Sequence, residues 1–184
     1  MVTHDPARLA YAAWMLLVIY LTVAAIGAKR DTQPHLGQSL GLTLAIIVAL
    51  VLPHLKMFQF VNFEPSAALS TIGLLLTAAG MGLLVWGRQT LGGNWSQTVS
   101  AKEDHELVTS GPYRYVRHPM YTGGLVACLG SAMSAGGVFV FLLLILTPLF
   151  LWRVAAEDEL LSRQFPREFP EYKARTYALI PIVW

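Results

Sequence analysis

Leu9–Gly27, LAYAAWMLLVIYLTVAAIG, contains no charged residue and approaches the roughly 20 apolar residues an α-helix needs to cross a bilayer. It constrains the fold more than any other stretch. Arg8 is the only Lys or Arg before it, short of the basic n-region of a signal peptide, and the run exceeds the length of a signal core, so it reads as a retained span. Four more uncharged apolar runs follow: Leu36–Pro53, Ala67–Trp86, Tyr121–Ala135 and Gly137–Trp152. Lipid offers no hydrogen bonds, so the backbone must satisfy itself inside each run. The expected fold is all-α and polytopic, with about five transmembrane helices. Only Ala135-Gly136-Gly137 separates the last two runs, which predicts a tight turn and an antiparallel helical hairpin, although Tyr121–Ala135 is short for a full crossing.

Charge placement tests that count. Charged residues make up 13% of the chain against about 25% in soluble domains. If residues 87–120 and the C-terminal tail are cytoplasmic, five crossings leave only Arg8 and Lys56 outside among the thirteen Lys and Arg, as the positive-inside rule expects. The N-terminus then faces out and the C-terminus lies in the cytoplasm. That membrane would be the plasma membrane of a prokaryote or the endoplasmic reticulum of a eukaryote. A net charge of +2 without a basic stripe gives no footprint for nucleic acid. Cys128, the single cysteine, can form no internal disulfide and reads as a small buried or lipid-facing residue. We read residues 1–184 as one domain: three spans in 1–86, a cytoplasmic loop in 87–120, the hairpin in 121–152, and a cytoplasmic segment in 153–184.

Polar chemistry gathers in two places. Leu107–Tyr121, LVTSGPYRYVRHPMY, packs Tyr113, Arg114, Tyr115, Arg117, His118 and Tyr121 just before a membrane helix. Gly111-Pro112 supplies a turn, and His118-Pro119 ends an extended residue and starts the helix. The free N–H groups of that helix start suit an anionic or electron-rich ligand. A lipid-headgroup anchor built from the same arginines and tyrosines is the alternative. In the second place, Arg153 and Glu157 stand four residues apart on one helix face, with Asp158 beside them. An ordinary i,i+4 pair, worth a few tenths of a kcal/mol, is the alternative there. Ala155–Phe165 should continue the last helix into water until Pro166 and Pro170 break it.

From about Gly82 to Pro181 the chain resembles the membrane methyltransferases that include isoprenylcysteine carboxyl methyltransferase and phosphatidylethanolamine N-methyltransferase. The resemblance rests on Gly92-Gly93-Asn94-Trp95-Ser96, on His105-Glu106-Leu107-Val108-Thr109-Ser110-Gly111-Pro112-Tyr113, and on Arg117-His118-Pro119-Met120-Tyr121. It continues through Arg153, Glu157-Asp158, Leu161, Phe165, Tyr172 and Pro181. The family commonly carries two glutamates at Glu157-Asp158 and Phe-Gly at Phe165-Pro166.

The resemblance implies a cytoplasmic pocket for S-adenosylmethionine, covered by the C-terminal segment, with a lipid-like or prenylated acceptor arriving from the bilayer. His105, Glu106, Leu107, Val108, Tyr113, His118, Pro119, Met120, Tyr121 and Glu157 would contact the cofactor. Arg153 would face the acceptor, with Arg117 and Arg114 as further cations for an acceptor carboxylate or headgroup, so Arg153, Glu157 and Arg117 form the expected catalytic set. Methyl transfer from a sulfonium calls for alignment and exclusion of water, and no metal is expected. An isoprenylcysteine carboxylate is the leading acceptor and a phospholipid amine the alternative. An NADPH-dependent sterol-type reductase and a non-enzymatic lipid-binding scaffold are the rivals from other classes.

Overall fold

The computed structural model describes residues 5–26, 64–95 and 106–180. The second apolar run, Leu36–Pro53, lies outside these residues, as do Lys29, Arg30, Lys56, Ser96, His105 and Pro181. Five α-helices are described: α1 Pro6–Ile26, α2 Ala67–Leu91, α3 Pro119–Ala135, α4 Val138–Gln164 and α5 Glu168–Ala174. Short 3-10 turns cover Gly92–Asn94 and Gly111–Arg114. Three stretches are long and apolar enough to cross a membrane: Pro6–Ala24, Ala67–Asn94 and Val138–Gln164. With 17 residues, α3 spans about 25 Å at 1.5 Å per residue, slightly short of the hydrocarbon core.

Two boundaries differ from the sequence expectation. The third run continues as helix through Leu91 rather than stopping at Trp86, because Arg88 finds partners where it stands and the chain turns only at Gly92, φ 53°. Pro170 does not break structure but lies in the first turn of α5, where its missing N–H has no helical partner to lose.

α2 and α3 pack closely because their shared seam is almost free of side chains. A Cβ on Gly73 would come within 2.5 Å of the Gly130 carbonyl, and one on Gly130 within 2.5 Å of the Gly73 carbonyl. Gly80 and Gly123 repeat this reciprocal contact one heptad along, again at 2.5 Å. Close approach of small residues replaces the hydrophobic drive that lipid removes. Polar glue joins α1 to the seam: Trp14 Nε1 donates to Ser131 Oγ at 2.9 Å, and Ser131 Oγ lies 3.2 Å from Thr77 Oγ1. The rings of Tyr11 and Trp14 also meet Phe139 of α4, at 5.1 and 6.3 Å between centroids.

The expected hairpin is present. Gly136 and Gly137 take φ 64° and 52° in succession, a left-handed pair that reverses the chain in two residues. Returning antiparallel, α4 brings Phe150 to 4.8 Å from Tyr121 at the opposite end of α3. The start of α3 and the last third of α4 are thereby placed together, beside the end of α2.

Candidate active site

His118 caps the N-terminus of α3 with Pro119 as its first helical residue. The preceding chain is held by the tail rather than by a hairpin of its own. Arg117 N–H donates to the Tyr177 carbonyl at 2.8 Å and His118 N–H to that of Ala178 at 3.1 Å. Tyr177 N–H returns a bond to the Tyr115 carbonyl at 3.2 Å, a parallel bridge between Val116 and Tyr177. Thr122 Oγ1 reaches the Leu179 carbonyl at 2.7 Å, and the Tyr172 hydroxyl donates to the Tyr113 carbonyl at 2.8 Å. The C-terminal segment therefore docks onto the loop that carries the aromatic and basic residues.

Against this frame α4 presents Arg153, Glu157 and Asp158. Arg153 Nε donates to the Tyr121 hydroxyl at 2.9 Å, and Tyr121 donates to Glu157 Oε1. Arg153 Nη2 lies 3.4 Å from the same carboxylate oxygen. Glu157 Oε2 is 3.4 Å from His118 Nδ1, while His118 Nε2 lies 2.9 Å from Asp158 Oδ1. The Arg153–Glu157 pair is thus no solvated helix pair: the Arg153 side chain is 8% exposed and that of Glu157 25%. Removing one partner from a pair this shielded costs more than the few tenths of a kcal/mol of a surface pair, with about 3–5 kcal/mol as the limit for full burial.

Both imidazole nitrogens of His118 face carboxylate oxygens, an arrangement that suits a doubly protonated ring. Burial opposes that charge, but the hydrogen bonds and negative charges of Asp158 and Glu157 outweigh it and raise the pKa above its ordinary value. At Tyr113 burial acts first and the Glu157 charge adds to it, pushing the hydroxyl well above the usual phenol range. The phenol stays neutral and keeps its proton.

The structure brings together six of the residues singled out from sequence: Tyr113, Arg117, His118, Tyr121, Arg153 and Glu157. Pro119 is buried, Met120 half-buried, and Leu107 and Val108 half-buried in irregular chain, whereas Glu106 and Arg114 are exposed. Arg117, expected from sequence as catalytic, contacts the tail and Asp158. Its guanidinium holds the tail, donating to the Thr176 carbonyl at 2.5 Å and to Asp158 Oδ2 at 3.3 Å. Sequence reasoning missed Arg88, buried at the end of α2. It donates to the Ala24 carbonyl of α1 at 2.6 Å and the Gly92 carbonyl at 2.9 Å, with Trp95 stacked at 4.5 Å. A basic residue two positions past the uncharged run Ala67–Trp86 was the available signal. Among the described residues, no group of three or more His, Cys, Asp and Glu side chains is arranged to hold a metal ion.

The model of the phospholipid methyltransferase family matches residues 69–168, from the seam glycines through the carboxylates. The chain belongs to this family. Among its relatives, the nickel-cobalt-cadmium resistance protein of Alcaligenes xylosoxydans xylosoxydans is 34% identical over 140 residues. That match covers 74% of this chain and 59% of the relative, so the chain spans less than two thirds of that protein's length. A probable protein-S-isoprenylcysteine O-methyltransferase of Oryza sativa is 26% identical over 177 residues, covering 89% of this chain and 88% of the rice protein. The solved structure of the eukaryotic intramembrane Ras methyltransferase, isoprenylcysteine carboxyl methyltransferase, superposes with a TM-score of 0.67 at 22% identity. It covers 99% of this chain and 70% of that one, so the family member described here shares its helical membrane fold. It is an integral membrane protein.

Proposed function

We propose that the chain is an S-adenosylmethionine-dependent membrane methyltransferase that esterifies the carboxylate of an isoprenylcysteine-type lipid. The observation that carries this reading is the convergence of Tyr121, Arg153, Glu157 and His118 where the apolar part of α4 ends. The name of the rice relative, which matches along most of both chains, supports the reaction class. We further propose that this end of the helices is cytoplasmic, as the distribution of basic residues suggests.

The residues suit the cofactor chemically. A zwitterion with an added sulfonium charge needs anions and cations within one site, and the cluster supplies both. Glu157 is the more exposed of the two carboxylates, 25% against 11% for Asp158, so a bound cationic group would sense its charge first, although Tyr121, Arg153 and His118 hold its oxygens. When bound, S-adenosylmethionine supplies an electrophilic methyl group on sulfur. Glu157 would balance positive charge near that group, Tyr113 would offer a neutral hydroxyl, and the docked tail would help to exclude water. Arg153 orients the acceptor carboxylate, which is ionised at pH 7 and needs no base.

A phospholipid amine is favoured by the family's description but would require deprotonation. Glu157 is poorly placed for that, because Tyr121, Arg153 and His118 already contact its two oxygens. The test is to incubate purified protein in micelles with methyl-labelled S-adenosylmethionine and either an N-acylated farnesylcysteine or phosphatidylethanolamine. Base-labile label on the farnesylcysteine supports the reading. Label on the amine alone, or tight binding of NADPH with no binding of S-adenosylhomocysteine, overturns it.

A further inference from the structure

Glu157 and Asp158 are neighbours in sequence and share His118, but their other partners differ. Glu157 turns to Tyr121 and Arg153, the side assigned above to the reaction. Asp158 stands where three segments meet. Its Oδ1 receives His118 Nε2 at 2.9 Å, and its Oδ2 lies 3.3 Å from both Arg117 Nη2 and Lys173 Nζ. Arg117 in turn grips the carbonyls of Thr176 and Lys173 at 2.5 and 3.4 Å. A recess of about 360 Å³, lined by Arg117, Val154, Asp158, Lys173 and Ala178 among others, opens beside this carboxylate. Asp158 thus borders solution on one side and the buried ring on the other.

We infer that Asp158 is a positioning residue: it sets the His118 ring and, through Arg117 and Lys173, holds the tail from Thr176 to Leu179 over the site. This role rests on the proposed methyl transfer, and in it Asp158 acts through His118, Arg117 and Lys173. A single carboxylate serving both arms makes ring orientation and tail docking depend on each other.

The groups facing His118 are Glu157 and Asp158 from α4 and Tyr121 from α3 with ring centroids 5.8 Å apart, while Arg117 of its own turn acts through Asp158 Oδ2. Lys173 of α5 adds its charge through Asp158. Because the folded pKa of His118 is raised, the stabilisation is fully present below about 6.5 and is lost as pH rises through the raised value. Asp158→Asn removes one of the two negative partners, so the loss moves to lower pH.

The experiment compares wild-type protein with Asp158→Asn, Asp158→Glu and Lys173→Gln. Calorimetry with S-adenosylhomocysteine and methyl-transfer kinetics are run across pH, with hydrogen exchange at the Arg117, His118 and Tyr177 amides. Losing a hydrogen bond between charged groups corresponds to about tenfold or more in affinity. Asp158→Asn should weaken binding by that factor at pH 6, where the ring is charged, and by less at pH 8, raise the KM for cofactor more than it lowers kcat, and speed exchange. Asp158→Glu should recover much of each, because the family commonly has glutamate there. Lys173→Gln should speed tail exchange while leaving the pH profile in place. An Asp158→Asn protein with wild-type exchange and pH profile overturns the inference, as does Asp158→Glu matching Asp158→Asn. If the wild-type protein neither binds S-adenosylhomocysteine nor transfers methyl, the proposed reaction has failed; exchange still reports on the Asp158 latch.

Discussion

Tyr121→Phe removes a single oxygen from the centre of the cluster. The ring keeps its contacts with Phe150 and His118, centroids 4.8 and 5.8 Å away, so packing is little disturbed. What disappears is an acceptor for Arg153 Nε at 2.9 Å and a donor to Glu157. A hydrogen bond to a charged group contributes about 1.5–3 kcal/mol. At about 1.4 kcal/mol per tenfold, kcat/KM should fall about 10- to 150-fold if the alignment of Arg153 and Glu157 matters in the transition state. The same loss in the folded ground state should lower the melting temperature by several degrees, since about 1 kcal/mol shifts a chain of this size by roughly 2–4 °C. Initial rates with labelled cofactor and an N-acylated farnesylcysteine, beside thermal unfolding in the same detergent, measure both. A variant within twofold of wild type in kcat/KM would refute the idea that this hydroxyl aligns the reacting groups.

Gly80→Ala places a Cβ 2.4 Å from the Ala127 backbone nitrogen; overpacking should cost about 1–3 kcal/mol. Gly82→Ala, whose Cβ meets nothing within 4 Å, should be neutral or slightly stabilising, and detergent unfolding of the pair checks the seam. Arg88→Lys should destabilise nearly as much as Arg88→Met, because a single ammonium cannot reproduce the fork that joins the Ala24 and Gly92 carbonyls. Thermal stability of the wild-type protein should decline as pH rises above about 6.5 through the raised pKa of His118. His118→Gln should flatten that decline, and an unchanged slope would contradict the charged ring.

Hydropathy made the membrane helices legible, because lipid leaves an uncharged run of this length few other solutions. The Gly136–Gly137 reversal was equally plain, since two glycines between apolar runs leave room only for a turn. The Arg153–Glu157 pairing followed from helical spacing, and the Arg117–Tyr121 motif pointed to the right stretch of loop. Helix ends were read less well: Trp86 looked like a boundary, but buried partners for Arg88 carry α2 on to Leu91.

What sequence could not express is which of several similar side chains meet. Arg114 and Arg117 are three residues apart, yet one is exposed and the other holds the tail. Glu157 and Asp158 are adjacent and nearly equivalent in chemistry, yet about 100° of helical rotation sends one to Tyr121 and the other to Arg117 and Lys173. Composition and periodicity alone determined that the chain lives in a membrane and where its polar groups concentrate. The division of labour among those groups was decided by the antiparallel return of α4 and by a tail that pairs backbone to backbone with a loop about 60 residues earlier. Such contacts depend on direction and distance in space, which local sequence spacing does not encode.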